Sequence, residues 1–268
     1  LMLNELKKSG TMSSNGKIES ILITQPRPLS EKSPFFDLER KYGVKLDFQP
    51  LISIVAISGK DFRKQKINIA RFTGVIFNSR NAIDHFFRTC EENKITVSQD
   101  TKYFCITEAV ALYLQKFILY RKRKVFFGAD GTNKSLFDVM NKHKENLSFL
   151  YVCSENQQDS DIVNWLKNNH CDFELAFMYR SESTDVKKLV GDKHFDIVCF
   201  FTPSGVKSWF DNFPDFKQNG VLVGTFGDNT KTEAVKAGLN PEIIAPRPKT
   251  PSMITALDQF LAGNLKSN

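Results

Sequence analysis

The chain has 268 residues, of which 41% are hydrophobic and 25% charged; this supplies one large core or two modest ones and excludes a disordered chain. A formal charge of +7 and an isoelectric point near 9.1 favour an anionic partner. The 5 cysteines form no CxxC pair and the 4 histidines lack metal-ligand spacing, so neither a disulfide framework nor a zinc site is expected; the cysteines read as buried, reduced thiols. Without a signal-peptide core or an 18-residue apolar run, the chain is expected to be cytoplasmic and to keep clear of membranes.

Residues 1–16 are polar, include Ser13-Ser14-Asn15-Gly16, and read as a disordered leader, with Met12 as an alternative start. Short β-branched and aromatic runs follow, alternating with stretches of helical periodicity, which is the pattern of βα units on parallel sheets. The predicted strands are 18–24, 44–51, 74–79, 102–106, 125–129, 149–154, 173–179, 196–202, 221–226 and 242–245. These 10 strands are too many for one small sheet. Between them, Arg121, Lys122, Arg123 and Lys124 precede Val125-Phe126-Phe127 and read as gatekeeping charge at a strand entrance, with a nucleic-acid or ligand patch as the alternative. Asp159-Ser160-Asp161 reads as the cap of a helix over 162–167.

An internal repeat divides the strands into two sets of five. Val75-Ile76-Phe77-Asn78-Ser79 and the helix pattern after it match Val198-Cys199-Phe200-Phe201-Thr202 and its sequel. Next, Tyr103-Phe104-Cys105-Ile106-Thr107 matches Leu222-Val223-Gly224-Thr225-Phe226, and Phe126-Phe127-Gly128-Ala129 matches Ile243-Ile244-Ala245-Pro246. The order of these three matches predicts two similar parallel α/β lobes facing a cleft. At the strand ends, Asn78-Ser79, Thr202-Pro203-Ser204-Gly205 and Gly227-Asp228-Asn229-Thr230 can cap the next helix. The same helix starts can instead present free amides to an anion.

Residues 128–135 approach the phosphate-loop pattern but carry Asn133 where its second glycine belongs, and no strand end supplies a clear magnesium-binding aspartate. GxGxxG, GxSxG and HExxH are absent. Nucleotide, dinucleotide, serine-nucleophile and zinc-protease chemistries therefore find no support. Tyr179, at the end of an apolar run, reads by itself as a packing residue with a polar tip.

A set of motifs in order then resembles the uroporphyrinogen-III synthase family from Lys17 to Leu261. They are Ile21-Leu22-Ile23-Thr24-Gln25-Pro26-Arg27, Val75-Ile76-Phe77-Asn78-Ser79 with Ala82, Tyr179-Arg180, Phe200-Phe201-Thr202-Pro203-Ser204-Gly205, Phe226-Gly227 with Thr230, and Pro248-Lys249-Thr250-Pro251-Ser252. The resemblance implies two flavodoxin-like lobes: 17–50 plus 182–268 as a discontinuous lobe one, and 51–181 inserted as lobe two. Crossings near residues 50–54 and 178–183 form a two-stranded hinge between them. It also implies a lyase that closes hydroxymethylbilane, a linear tetrapyrrole with eight carboxylates, into uroporphyrinogen III with inversion of the terminal ring.

By the same resemblance no cofactor or metal is needed. Tyr179 assists departure of the hydroxyl, and Asn78, Ser79, Arg80, Thr202, Ser204, Gly205, Gly227, Asn229 and Thr230 grip the substrate. A monomer without nucleic-acid or membrane partners follows, in transient contact at most with the hydroxymethylbilane synthase that makes the substrate. The sequence departs from the family at Gln25, which displaces an arginine to Arg27. It departs again at Ile106-Thr107-Glu108-Ala109-Val110, where a family Gly and Thr are missing and Glu108 brings negative charge. A non-catalytic, bilobed tetrapyrrole- or polyanion-binding relative is the alternative reading.

Overall fold

Each of the 10 apolar runs forms a strand in the computed structural model, with ends shifted by a few residues, and the structure describes residues 16–266. Apart from Gly16, the expected leader lies outside the described residues. The strands are β1 (Ser20–Ile23), β2 (Lys45–Phe48), β3 (Ile52–Ala56), β4 (Gly74–Phe77), β5 (Lys102–Cys105), β6 (Val125–Phe127), β7 (Ser148–Cys153), β8 (Asp172–Phe177), β9 (Tyr179–Ser183), β10 (Ile197–Phe200), β11 (Leu222–Phe226) and β12 (Pro241–Ala245). The helices are α1 (Pro34–Tyr42), α2 (Gly59–Phe62), α3 (Arg80–Glu92), α4 (Glu108–Tyr113), α5 (Asn133–His143), α6 (Asp161–Asn168), α7 (Lys187–Val190), α8 (Pro203–Asn212), α9 (Asp228–Lys236) and α10 (Met253–Lys266).

One expected strand, 173–179, is in fact two. The Met178 carbonyl accepts from the Ile57 amide at 3.0 Å, so the backbone leaves its β7 partner there and takes up β3 instead. Tyr179 consequently opens a strand rather than ending one. The pairing of β3 with β9 is antiparallel, since Thr184 N donates to the Leu51 carbonyl at 2.9 Å at the other end of the same ladder.

The chain divides into two units: everything up to Ser53 together with everything from Glu182 onward, and the intervening Ile54–Ser181. The first holds a five-stranded sheet in the order β12-β11-β10-β1-β2 and the second a five-stranded sheet in the order β6-β5-β4-β7-β8. All neighbours within both sheets are parallel. The three repeat matches pair β4, β5 and β6 with β10, β11 and β12, which occupy equivalent places. The first sheet is thus a circular permutation of the second, beginning at β10 and completed by β1 and β2.

Both sheets are covered on both faces, as parallel sheets require. In the second unit Val75, Phe77, Tyr103 and Val152 point to one face, where they meet Ala82, Ile83 and Phe86 of α3. Ile76, Phe104, Phe149 and Tyr151 point to the other, against Leu136 and Met140 of α5 and Ile162, Val163 and Leu166 of α6. The first unit repeats this alternation. Ile21 and Ile23 pack with Leu38 of α1 and Leu257 of α10, while Leu22, Val198 and Phe200 pack with Val206 and Trp209 of α8. The period-two strand pattern thus sorts the side chains between two helical layers.

Candidate functional site

Both sheets reverse their winding between the first and fourth strands of their own order, at β4 with β7 and at β10 with β1. Ligands of open α/β sheets settle beyond the carboxyl ends of the strands at such a point. The order 3-2-1-4-5 seen here puts the switch between first and fourth strands, where flavodoxin's own order puts it between first and third.

In the second unit β4 ends on Phe77, which is fully buried, and hands the chain to Asn78 and Ser79. Ser79 is the N-cap of α3, its hydroxyl accepting from Ala82 N at 3.1 Å. That is the capping role, and the same side chain neighbours Tyr179, whose phenol it draws down against the effect of burial. Asn78 donates through Nδ2 to the Tyr151 hydroxyl at 3.0 Å, and its buried Oδ1 has no partner among the described residues. Tyr151 stands on β7 beside Ile76 of β4, so the switch point itself brings these groups together.

Tyr179 is 4% exposed. Burial pushes its phenol up to about 12, only partly offset by the neighbouring Ser79, so it is held protonated. Its ring stacks on His85 of α3, with centroids 5.4 Å apart and planes 25° apart. Arg88, one turn further along α3, donates through Nε to His85 Nδ1 at 3.2 Å. Since Arg has no acceptor, Nδ1 must be the unprotonated nitrogen, and the neutral ring carries its hydrogen on Nε2. Burial, then the charge of Arg88, draws the imidazole below its usual value against the pull of Asp84. The other Arg88 donors reach the carbonyls of Ile57 at 2.9 Å and Met178 at 2.8 Å and the Glu92 carboxylate at 2.6 Å. The cluster thus offers a phenol and an imidazole as neutral donors, with a fixed cation behind them.

Arg80 stands apart from this cluster. It is exposed at the first position of α3, and its guanidinium lies 5.6 Å from the Tyr113 ring centre.

In the first unit, β10 leads through Phe201 to Thr202, which caps α8 by accepting from Gly205 N at 3.0 Å. Ser204 is half-buried and Gly205 buried in the first turn. On the neighbouring strand β1, the Thr24 hydroxyl donates to the Cys199 carbonyl at 2.7 Å, which fixes the turn into Gln25. Arg27 lies 4.7 Å from the Phe36 ring centre and 5.7 Å from that of Phe48. After β11, Gly227 adopts φ +90°, which L side chains rarely adopt. It starts α9 without a side-chain cap; Asn229 is exposed there and Thr230 is buried at 2% exposure. The structure therefore groups the predicted residues into Asn78, Ser79 and Tyr179 in one unit, and Thr202, Ser204 and Gly205 beside Gly227, Asn229 and Thr230 in the other.

The segment resembling a phosphate loop is filled by its own side chain. Asp130 accepts from Thr132 N at 3.0 Å and from the Thr132 hydroxyl, and these bonds hold its carboxyl down to about 2. A phosphate there would meet that carboxylate. Residues that sequence reasoning overlooked are His85, Arg88 and Tyr151. The available signal was a histidine and an arginine three residues apart on a helix whose neighbours Ile83, Phe86 and Cys90 are core. No group of His, Cys, Asp or Glu among the described residues is arranged to hold a metal. All 5 cysteines are free, and Cys171 alone is not fully buried. No helix among the described residues is long and apolar enough to cross a membrane.

Two doubly wound parallel sheets, one assembled from both ends of the chain, with polar turns at their switch points and a pair of strands between, define a bilobal α/β class. Residues 35–255 match the family model described as Uroporphyrinogen-III synthase HemD, and the chain belongs to that family. Among solved structures it is similar to a mutant uroporphyrinogen III synthase from Thermus thermophilus at 15% identity and a TM-score of 0.59, covering 93% of this chain and 100% of that one. It is similar also to the uroporphyrinogen-III synthetase of Helicobacter pylori at 18% identity and a TM-score of 0.60, covering 91% and 99%. At these identities the likeness is one of fold. Comparison with curated proteins gives no match.

Proposed function

We propose that the chain is a uroporphyrinogen-III synthase, a cofactor-independent lyase that converts hydroxymethylbilane into uroporphyrinogen III and water. The observation that carries the reading is Tyr179: a buried phenol kept protonated, stacked on His85 and next to the capping Ser79 after β4. A neutral donor suits the first step, in which the hydroxymethyl C–O bond breaks and the oxygen leaves as water after taking up a proton. The azafulvene cation so formed is attacked by the substituted carbon of the last ring. The resulting spiro intermediate fragments and recloses with that ring inverted. The helix starts at Ser79, Thr202 and Gly227 bind carboxylates, and holding the polyanion in a reactive geometry supplies much of the acceleration.

The test is incubation with freshly generated hydroxymethylbilane followed by separation of the porphyrin isomers. The type III isomer is expected; type I alone, the spontaneous product, defeats the proposal. Tyr179→Phe is expected to slow turnover about 10²-fold with substrate binding retained, and an unchanged rate removes Tyr179 from the chemistry. The second reading, a non-catalytic tetrapyrrole-binding relative, draws on Glu108, whose carboxylate occupies the first turn of α4. It predicts tight binding of uroporphyrinogen with type I product only. In both readings we place the protein in the cytoplasm as a monomer without nucleic-acid or membrane partners.

A further inference from the structure

The basic run at 121–124 takes no part in the account above, yet it borders a cavity of about 370 Å³. The cavity lies at the amino-terminal end of the second sheet, next to Tyr103 of β5 and Lys124 just before β6, whereas Asn78 and Ser79 follow the carboxyl end of β4. Its deep part is formed by Cys90 and Tyr103, each 3% exposed. Its walls are mixed, with Ser98, Gln99 and Thr101 beside a group of apolar side chains. Phe87 and Phe117 stack in parallel with centroids 4.7 Å apart, and Ile95 and Val97 stand nearby. At the mouth, Phe117 is 40% and Leu119 77% exposed, although both are large apolar side chains.

Charge is unevenly placed around this opening. Arg121 and Lys124 line it, and the turn between them is closed by Lys124 N donating to the Arg121 carbonyl at 2.9 Å. Arg121 makes no ion pair among the described residues, while Lys124 Nζ donates to the Asp100 carbonyl at 3.4 Å and stands 3.9 Å from the Asp100 carboxylate. The acidic group on the lining is Glu91, from α3. Gatekeeping charge at a strand entrance accounts for the basic run, but not for the cavity beneath it or for the exposed Phe117 and Leu119 at its mouth.

We propose that this cavity binds one amphipathic carboxylate, an acyl or aryl chain of medium length. The apolar body lies between Phe87 and Phe117 on one side and Ile95 and Val97 on the other, and the carboxylate is held by Arg121 and Lys124. The volume lies at the lower end of the range for small-molecule sites, about 300–1,000 Å³, and suits a single chain rather than a macrocycle. A few placed polar groups fix the orientation of a ligand in such a pocket; here the two cations Arg121 and Lys124 take that part, with Ser98, Gln99 and Thr101 as neutral polar lining.

The test is titration of the full chain with decanoate below its micelle concentration, by calorimetry and by methyl NMR. Saturable one-to-one binding is expected, with shifts centred on Ile95, Val97, Ile118 and Leu119. Arg121→Gln, a change at the rim, is expected to weaken decanoate about fivefold, as is replacement of decanoate by decanol. Absence of saturable binding, shifts centred elsewhere, or equal affinity for decanol would overturn the proposal. Binding only to phosphatidylglycerol vesicles would also overturn it, assigning the exposed Phe117 and Leu119 and the basic turn to a membrane surface. None of these outcomes depends on turnover of hydroxymethylbilane.

Discussion

Replacing Arg88 by Gln removes the guanidinium that serves the carbonyls of Ile57 and Met178 at 2.9 and 2.8 Å. A charge-assisted bond is worth about 1.5–3 kcal/mol net when well buried. The Arg88 side chain is 27% exposed, and water can replace part of each bond, so about 1 kcal/mol apiece is the better figure. The pair with Glu92, four residues along α3, adds about 0.5 kcal/mol. The expected loss is therefore about 2–3 kcal/mol, and with a urea dependence near 2 kcal/mol per molar the midpoint falls by about 1–1.5 M. The chain itself provides the assay, because its 2 tryptophans report separately: Trp165 lies within Ile54–Ser181 and Trp209 lies in the other unit. Arg88→Gln in a Trp209→Phe background should move the Trp165 fluorescence transition by that amount. A shift of less than about 0.3 M, outside the range just derived, refutes the assignment of Arg88 as the group that secures these carbonyls.

Three further outcomes follow from the same geometry. His85 is drawn below the ordinary 6.5 in the folded state, so the unfolded chain binds more protons in that window. Stability of the second unit should fall as the pH drops below 6.5, and His85→Gln should flatten that slope in urea titrations repeated across pH. Gly227→Ala forces a side chain onto φ +90° and is expected to cost about 1–3 kcal/mol, read from the Trp209 transition. Thr202→Ala removes the acceptor for Gly205 N and should cost about 1 kcal/mol, with Thr202→Ser restoring most of it. An unaffected Thr202→Ala transition would mean that this hydroxyl serves a ligand rather than the helix.

Strand positions and helix starts were legible because their causes are local. Alternating apolar residues and a Ser or Thr at the N-cap act within a few residues of each other, as at Ser79, Ser160 and Thr202. The break at Met178 was hidden, because a strand that changes partner can keep the same apolar composition on both sides. His85 and Arg88 were hidden for a related reason. Their partners, Tyr179, Ile57 and Met178, come from elsewhere in the chain, and no spacing within α3 encodes them.

The sequence by itself determined ten strands, their helical partners and an ordered repeat that separates them into two sets. Membership of β1 and β2 in the first sheet came from family resemblance, not from periodicity. Only the tertiary structure decided which strands are neighbours: β1 lies between β10 and β2, with Ile21 paired to Ile197 on one side and to Leu46 on the other. A strand's own residues encode which faces are buried. Its neighbours depend on backbone hydrogen bonds that every residue type except proline can make, so that choice belongs to the packed whole.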